Sequence, residues 1–297
     1  MRIIRYINEH SKATLAAVTN EGEVYPLPQE GLIELIQQAN EQKVSPLSFI
    51  ENFLSKSVPI QNPLEDLSIL VPIVAEEVWA SGVTYERSRD ARNYEATAGK
   101  LDATTFYDKI YEAERPEIFF KSTAARTVGP GQEVYLRSDS NWQIPEPELG
   151  LVINREGEIL GYTIGNDMSC RDIEGENPLY LPQAKIWKNS CSIGPAILLA
   201  ESVKDPYNFD ITCRIYRNGE LTVEGEANTS QLKRKYHELV SYLIRDNEIF
   251  DGTVLLTGTC IIPDNDFTLL DGDQIEIEIS GIGVLKNSVK LPNNILV

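Results

Sequence analysis

After residue 70 the chain consists largely of strand-length segments, rich in β-branched and apolar residues, that are separated by Gly, Asn or Asp. This pattern constrains the fold more than any other feature, because regularly spaced short strands are typical of a mostly β domain. The segments are YLRSD, ELGLVI, EILGYTIGND, GPAILLA, FDITCRIYRNGELTVEGE, TVLLTGT, DQIEIEIS and VLKNSVK. Within the fifth, Asn218-Gly219 predicts the turn of a β-hairpin.

A few helices interrupt the strands. The stretch TSQLKRKYHELVSYLIRD keeps apolar residues at helical spacing, and Thr229 or Ser230 is expected to cap its N-terminus. A second helix is predicted in YERSRDARNYEAT, and more helix is expected near TTFYDKIYEAE.

The first part of the chain combines short strands with two helical patterns, GLIELIQQANEQ and SPLSFIENFLSKS. The proline-rich stretch VPIQNPLEDLSILVPI follows them and suits a linker or an extended crossing. We therefore predict a small N-terminal α+β domain, residues 1–70, and a larger β-rich domain, residues 71–297. The predicted fold class is α+β, mostly β.

Charge and cysteine content limit the function. The formal net charge is −18, which argues against a nucleic acid or an anionic membrane as partner, because both attract basic patches. No segment approaches the roughly 18 consecutive apolar residues of a membrane span, and the N-terminus does not read as a signal peptide. The four cysteines have no CxxC spacing, so a reducing, cytoplasmic setting is expected.

Two carboxylates in IPEPELGLVI indicate a metal site. Glu146 and Glu148 leave an extended backbone by the same face, where like charges repel unless a cation lies between them. A lone E-x-E in so acidic a chain is more often a solvated strand edge. The neighbouring segments decide between these two interpretations.

A hairpin between ELGLVI and EILGYTIGND would add a third carboxylate. With a four-residue loop, Ile153 pairs with Glu158, so Glu148 faces Thr163 and Glu146 faces Gly165, while Asp167 projects from the same face. In that ideal register Glu148 and Asp167 are too far apart to share an ion. A bulge or a bend must close the gap, and its candidate positions are Gly150, Gly161 and Gly165. Three hard oxygen ligands in this arrangement suit Mg²⁺, Mn²⁺ or Ca²⁺.

Taken together, PEPELGLVI, GYTIGNDMSCRD and LTGT followed by DGDQIEIEISGIGVL resemble the fumarylacetoacetate hydrolase superfamily. The resemblance implies a mixed β-roll or sandwich fold. It also implies that Glu146, Glu148 and Asp167 hold a divalent metal, usually Mg²⁺, which are the three residues that the hairpin brings together. Family resemblance further implies a homo-oligomer, dimer or tetramer.

Four further segments, SGVTYERSRD, RPEIFFKST, ENPLYLPQAKIW and RDNEIFDGTVLLTGT, resemble the sugar-acid dehydratase branch of this superfamily. That branch implies conversion of a small 2-keto acid, 2-keto-3-deoxy-D-arabinonate or -xylonate, to 2,5-dioxopentanoate through a metal-stabilised enolate. Ser88 occupies the position where hydrolases of the superfamily carry a histidine, which favours elimination over hydrolysis. An acylpyruvate hydrolase, an oxaloacetate decarboxylase and a metal-binding protein without catalysis are the alternatives.

The remaining candidate residues follow from these segments. The resemblance marks Lys185 as an active-site residue that stabilises the enolate. Glu117 is an acid or base candidate, because its apolar neighbours would raise the pKa of its carboxyl, although it can equally pair with Arg115 or Lys121. Lys121 is expected to pair with a metal ligand or the substrate carboxylate. The expected supporting residues are Ser81, Thr84, Tyr85 and Thr259 as pocket walls that bind substrate, and Arg171 and Asp172 as a pair that braces the metal loop.

Overall fold

The structure is a computed structural model that describes residues 1–97 and 106–292. Strands dominate these residues, which confirms the predicted fold class. The strands are β1 (Arg2–Ile7), β2 (Ala13–Val18), β3 (Val24–Pro26), β4 (Ser68–Leu70), β5 (Glu77–Gly82), β6 (Glu117–Thr123), β7 (Thr127–Val128), β8 (Glu133–Tyr135), β9 (Gln143–Ile144), β10 (Pro147–Ile153), β11 (Ile159–Asp167), β12 (Ser169–Cys170), β13 (Cys191–Leu199), β14 (Asp210–Arg217), β15 (Glu220–Asn228), β16 (Thr253–Leu256), β17 (Gln274–Ile279) and β18 (Gly283–Lys290). The α-helices in the same ranges are α1 (Leu32–Glu41), α2 (Pro46–Leu54), α3 (Glu86–Thr97), α4 (Phe106–Glu112), α5 (Arg171–Glu176), α6 (Leu181–Lys185) and α7 (Tyr236–Leu243).

Two large sheets carry the fold. Within the described residues, an eleven-stranded sheet runs in the order β3-β2-β1-β13-β11-β10-β16-β5-β6, with β4 beside β1 and β7 beside β13. A five-stranded sheet has the order β15-β14-β17-β18-β8, and β9 pairs with β12. Both sheets are mixed, because β5 runs parallel to β16 and β8 runs parallel to β18.

The central strand β10 is covered on both faces. Leu149 packs in one core with Ile215 of the five-stranded sheet, whereas Val152 packs in another core with Leu35 of α1. Side chains alternate between the faces of a strand, so the two layers bury successive residues. Every residue of β10 is consequently buried. The carboxylates at the start of this hairpin are therefore enclosed by the fold.

The predicted domain boundary near residue 70 stays a prediction, and the large sheet runs across it. Strand β1 pairs antiparallel with β13, placing Ile3 opposite Ile197, and β4 pairs with β1. The N-terminal strands thus extend the sheet that carries β10 and β11. None of the described helices is both long and apolar enough to cross a bilayer.

Most predicted elements are present, and two are corrected. The Asn218-Gly219 hairpin and the helix α3 are confirmed, and α4 lies within its predicted stretch, of which residues 104 and 105 fall outside the described residues. The cap at Thr229 or Ser230 is wrong, because α7 begins only at Tyr236. Residues 229–231 form a separate 3₁₀ turn, and the chain then extends so that the Lys233 N–H donates to the Thr84 carbonyl at 3.0 Å. The YLRSD strand is also wrong beyond its first residue, which ends β8.

Candidate active site

The loop between β10 and β11 is shorter than predicted. The Asn154 N–H donates to the Glu158 carbonyl at 3.0 Å, and the Asn154 side-chain oxygen accepts the Glu158 N–H at 2.7 Å. These bonds leave a loop of residues 155–157, which ends on Gly157 at φ +83°. A three-residue loop that ends in a left-handed glycine is a common hairpin connection. The predicted pairing of Ile153 with Glu158 is therefore wrong.

A bulge next to Gly161 shifts the register once more. Val152 pairs with Gly161, but Ile153 pairs with Ile159, so Leu160 is an extra residue on β11. Gly161 is one of the three glycines predicted to allow a bulge, and this prediction is confirmed. A bulge inserts one residue on one strand and moves all later pairs by one position.

Together the short loop and the bulge move the pairing by two residues. Glu148 lies opposite Gly165 instead of Thr163. The Asp167 N–H donates to the Glu146 carbonyl at 3.0 Å, so these two residues are neighbours across the hairpin. An even shift keeps every side chain on its predicted face. It also closes the gap that the ideal register leaves between the carboxylates.

Glu146, Glu148 and Asp167 offer carboxylate oxygens that all lie within 4.8 Å of one another. The three residues are 7%, 2% and 1% exposed. Burial is the main cause that raises the pKa of Glu146 and Glu148, and the neighbouring carboxylates add to the rise. The Gly258 N–H donates to Glu148 Oε2 at 2.6 Å and orients it. This set of hard oxygen donors fits Mg²⁺, whose charge would remove the repulsion among the carboxylates.

Lys185 lies at the centre of the charged groups. Its Nζ is 2.6 Å from Glu146 Oε2, 2.5 Å from Ser169 Oγ, 3.4 Å from Asp167 Oδ2 and 3.1 Å from Glu174 Oε1. The side chain is fully buried at the end of the short helix α6. Burial lowers the pKa of Lys185, but the surrounding carboxylates raise it by more, so the net direction is upward. The group is therefore a charged ammonium.

Lys121 holds Asp167 from the opposite side. Its Nζ is 2.6 Å from Asp167 Oδ1 and donates to the Met168 carbonyl at 2.9 Å and, in a close contact, to the Lys185 carbonyl. An ammonium has three N–H donors, so these acceptors use all of them. Of its two predicted roles, pairing with a metal ligand fits this geometry, and contact with the substrate carboxylate does not.

Two charged residues at the site were not among the predicted ones. Glu174, on α5, is buried and lies 3.1 Å from Arg92 Nη2, which comes from α3. Burial raises the pKa of Glu174, but the positive charges of Arg92, Lys185 and Arg171 lower it by more. Arg92 follows Ser88 by four residues, so helical spacing puts both on one face and was the available signal. No comparable pattern in the sequence marks Glu174.

A small inner cavity of about 20 Å³ adjoins the carboxylates. It is lined by Ser81, Gly82, Val83, Ser88, Arg92, Phe119, Glu146, Glu148, Asp167, Lys185, Gly258 and Thr259. Two of the predicted pocket residues, Ser81 and Thr259, are in this lining. Thr84 instead donates to the Thr257 carbonyl at 2.8 Å, and Tyr85 is part of the apolar core. Their side chains support the wall and do not form it.

No histidine is in the lining of this cavity among the described residues. Ser88, at the position of the hydrolase histidine, donates to the Tyr85 carbonyl at 2.7 Å and accepts the Tyr85 N–H, and so stabilises the start of α3. His10 and His237 are both exposed.

An outer cavity of about 360 Å³ adjoins the inner one. Arg92 lines both, and the outer lining also includes Arg115, Glu117, Glu174 and mainly apolar residues, namely Ile110, Pro116, Pro178, Leu179 and Leu181. A five-carbon acid is too large for the inner cavity alone. Its distal carbons would therefore extend past Arg92 towards the outer cavity.

Glu117 lines the outer cavity and lies against Gly82, which lines the inner one. Its carboxylate lies over Gly82, where an added Cβ would be only 2.0 Å from Glu117 Oε2. Burial raises the pKa of Glu117, and although Arg92 opposes the rise, the net direction is upward, as predicted. Among the described residues its Oε2 has no hydrogen-bond partner. Such a carboxyl can exchange protons with a substrate.

Arg171 and Asp172 make separate contacts, and their role in bracing the metal loop stays a prediction. Asp172 accepts hydrogen bonds from Ser140 Oγ at 2.6 Å and from the Asn141 N–H at 2.7 Å. The Arg171 guanidinium lies 5.5 Å from the centre of the Trp142 ring. Both residues therefore tie α5 to the segment that leads into β9.

Residues 88–290 match the family described as fumarylacetoacetate (FAA) hydrolase, C-terminal. The chain belongs to this family, as the sequence motifs predict.

Within the family, two of its relatives are named as sugar-acid dehydratases. The chain is 50% identical over 227 residues to a 2-dehydro-3-deoxy-D-arabinonate dehydratase of Saccharolobus solfataricus, covering 76% of each protein. It is 48% identical over 230 residues to a protein of Haloferax volcanii named "Probable 2-keto-3-deoxyxylonate dehydratase", covering 77% of this chain and 78% of that protein. A solved structure of 2-keto-3-deoxy-D-arabinonate dehydratase complexed with magnesium and 2,5-dioxopentanoate has a TM-score of 0.83 at 38% identity, over 99% of this chain and 100% of that one.

Proposed function

We propose that this protein is a magnesium-dependent dehydratase that converts 2-keto-3-deoxy-D-arabinonate, the compound also reached from xylonate, to 2,5-dioxopentanoate and water. The observation that carries the proposal is the convergence of three buried carboxylates beside a buried, charged lysine, in a cavity that no histidine lines within the described part of the chain. The names of the relatives at 50% and 48% identity point to the same reaction.

Glu146, Glu148 and Asp167 would hold the metal. When bound, a divalent ion polarises the C2 carbonyl of a 2-keto acid and so makes a C3 proton acidic. Lys121 keeps Asp167 in place, and Gly258 does the same for Glu148. These contacts fix the ligand oxygens before substrate arrives.

Lys185 supplies a buried positive charge. Because its ammonium is buried and charged, it stabilises the negative charge that develops on the C2 oxygen when the C3 proton leaves. Ser81 and Thr259 would bind the substrate, and their position in the lining of the inner cavity supports this role.

Glu117 moves the proton. As a carboxylate it can take the proton from C3, and as a carboxylic acid it can return that proton to the C4 hydroxyl, which leaves as water. A raised pKa suits the second half of this role, because it favours the protonated carboxyl that a proton donor needs. The resulting C3–C4 double bond shifts by loss of a C5 proton and gain of one at C3, and the enol formed at C5 becomes the aldehyde.

A product assay tests the reaction against hydrolysis. The protein is incubated with Mg²⁺ and either 2-keto-3-deoxy-D-arabinonate or acetylpyruvate, and the products are identified by NMR. We expect 2,5-dioxopentanoate from the first substrate and no cleavage of the second. Acetate and pyruvate from acetylpyruvate, without dehydration of the sugar acid, would identify a hydrolase and overturn the proposal.

We also infer a homo-oligomer, a dimer or tetramer, in the cytoplasm. Family resemblance supports the oligomer, and the four free cysteines suit a reducing compartment. Light scattering on the purified protein measures the mass against that of one 33.3 kDa chain, and a monomer would contradict the proposal.

A further inference from the structure

One carboxylate of the candidate metal site is also the partner of a buried lysine. Glu146 Oε2 lies 2.6 Å from the Lys185 ammonium, and Glu146 is also one of the three carboxylates whose arrangement fits a divalent cation. A buried ammonium and a dication that share one carboxylate repel each other strongly, because the protein interior screens charge poorly. Binding of the dication therefore requires the Lys185 ammonium to exchange Glu146 for another anionic partner.

Glu174 is such a partner, and it is outside the ligand set. Its Oε1 lies 3.1 Å from Lys185 Nζ. Glu174 comes from α5 and faces Lys185 without being grouped with Glu146, Glu148 and Asp167. Ser169 Oγ, at 2.5 Å, is a neutral acceptor that stays available but brings no charge. Among the ion pairs of Lys185 within the described residues, the one with Glu174 does not use a carboxylate of the ligand set, so Glu174 can neutralise the ammonium while the other carboxylates face a metal.

Arg92 keeps Glu174 in position. Its Nη2 lies 3.1 Å from Glu174 Oε1, and Arg92 and Glu174 are both buried, at 6% and 1% exposure. The positive charges of Arg92, Lys185 and Arg171 outweigh the effect of burial and lower the pKa of Glu174, which keeps the carboxylate ionised. A fixed, ionised carboxylate beside Lys185 is what the exchange requires.

We propose that Glu174, anchored by Arg92, is the partner to which the Lys185 ammonium moves when a divalent cation binds Glu146 and Asp167. Glu174 is then a positioning residue that acts through Lys185. Without it the ammonium stays on Glu146 and competes with the metal. The proposal rests on the metal site of the proposed function.

Calorimetric titration with Mg²⁺ tests it in four proteins: the wild type, Glu174→Gln, Lys185→Met and the double variant. We expect Glu174→Gln to weaken Mg²⁺ binding about tenfold, equivalent to about 1.4 kcal/mol, a size usual for coupled neighbours. Lys185→Met should bind Mg²⁺ at least as tightly as the wild type, because the competing ammonium is gone. The double variant should then bind within about twofold of Lys185→Met.

This double-mutant cycle separates the proposal from a simple loss of negative charge. A charge effect alone would weaken binding equally with and without Lys185, whereas an effect through Lys185 disappears when the lysine is absent. Equal losses in both backgrounds, or unchanged binding in Glu174→Gln, would overturn the proposal.

Asp273→Asn is the matched control, since it removes another buried carboxylate from an arginine, Arg217, outside the lining of both cavities. It should leave Mg²⁺ affinity unchanged, and a weakening equal to that of Glu174→Gln would count against a specific role. If Glu174→Gln does not fold, Glu174→Asp keeps the charge but shortens the reach to Lys185, and a partial loss of affinity is expected.

The product assay distinguishes the two proposals. If the wild type binds Mg²⁺ but makes no 2,5-dioxopentanoate, the proposed function is overturned. The double-mutant cycle of Mg²⁺ affinities would still test the role of Glu174. A wild type that makes the product, together with unchanged binding in Glu174→Gln, would overturn only the role of Glu174.

Discussion

Two regions of this protein bury carboxylates against cations, and they differ in charge balance. In the first, Arg217 donates from Nε and Nη2 to the two oxygens of Asp273, at 2.9 and 2.8 Å, and the Leu270 N–H donates to the same carboxylate at 2.9 Å. One positive and one negative charge face each other, and every oxygen has a partner. Such a pair is complete in itself.

The second region is the candidate active site, where three converging carboxylates meet two lysines, Lys121 and Lys185. The carboxylates outnumber the lysines by one, and burial together with the neighbouring carboxylates raises the pKa of Glu146 and Glu148. A buried pair of one positive and one negative charge is neutral, whereas a buried cluster with an excess of carboxylates favours binding of a further cation. The excess of carboxylates, and not burial alone, marks the functional region.

The largest effect on Mg²⁺ binding and turnover is expected when one of the three converging carboxylates is replaced. Glu146→Gln should weaken Mg²⁺ binding and lower turnover about 10³-fold together, because an amide is a poor replacement for a carboxylate ligand. Calorimetry and the dehydration assay measure both. Glu158→Gln, an exposed glutamate at the far end of the same hairpin, is the control and should change neither. Normal Mg²⁺ affinity in Glu146→Gln would remove this residue from the site.

Replacing Lys185 in the same cluster separates metal binding from turnover. Lys185→Met should lower turnover by about 10², the usual effect of losing one charge-stabilising group, without weakening Mg²⁺ binding. The exposed Lys188→Met, three residues along the chain, serves as the control. Full turnover in Lys185→Met would exclude Lys185 from the mechanism.

The balanced pair should affect stability and not activity. Asp273→Asn leaves Arg217 without its carboxylate, and because that side chain is 29% exposed we expect a loss of about 2 kcal/mol, less than for a fully buried pair. Denaturant unfolding measures the loss. Turnover per folded molecule should not change, and a fall in turnover would mean that this pair also supports the site.

The smallest effect on the free energy of unfolding is expected for an ion pair at the surface. Arg155 pairs with Asp251 at 2.8 Å, but its side chain is 63% exposed. Water screens such a pair, so Arg155→Ala should change the free energy of unfolding by at most about 0.5 kcal/mol. A loss as large as that of Asp273→Asn would show that exposure does not separate these classes of ion pair.

The hairpin of β10 and β11 shows which features of the site the sequence pattern predicts and which it does not. The alternation of side chains predicts that Glu146, Glu148 and Asp167 share a face, and the structure agrees because its register differs by an even number of residues. The register itself depends on hydrogen bonds between Asn154 and Glu158 and on the bulge beside Gly161. Loop length and bulge position are decided by these local contacts, which residue type alone does not specify.

The sequence by itself determined the strand-rich fold, the face on which the carboxylates lie and the family to which the chain belongs, because these follow from local periodicity and contiguous motifs. Only the tertiary structure decided which charged groups surround those carboxylates. Arg92 on α3 and Glu174 on α5 are distant in sequence and meet because their helices pack together over the site. Contacts between distant segments arise from the packing of whole elements, and no local pattern encodes them.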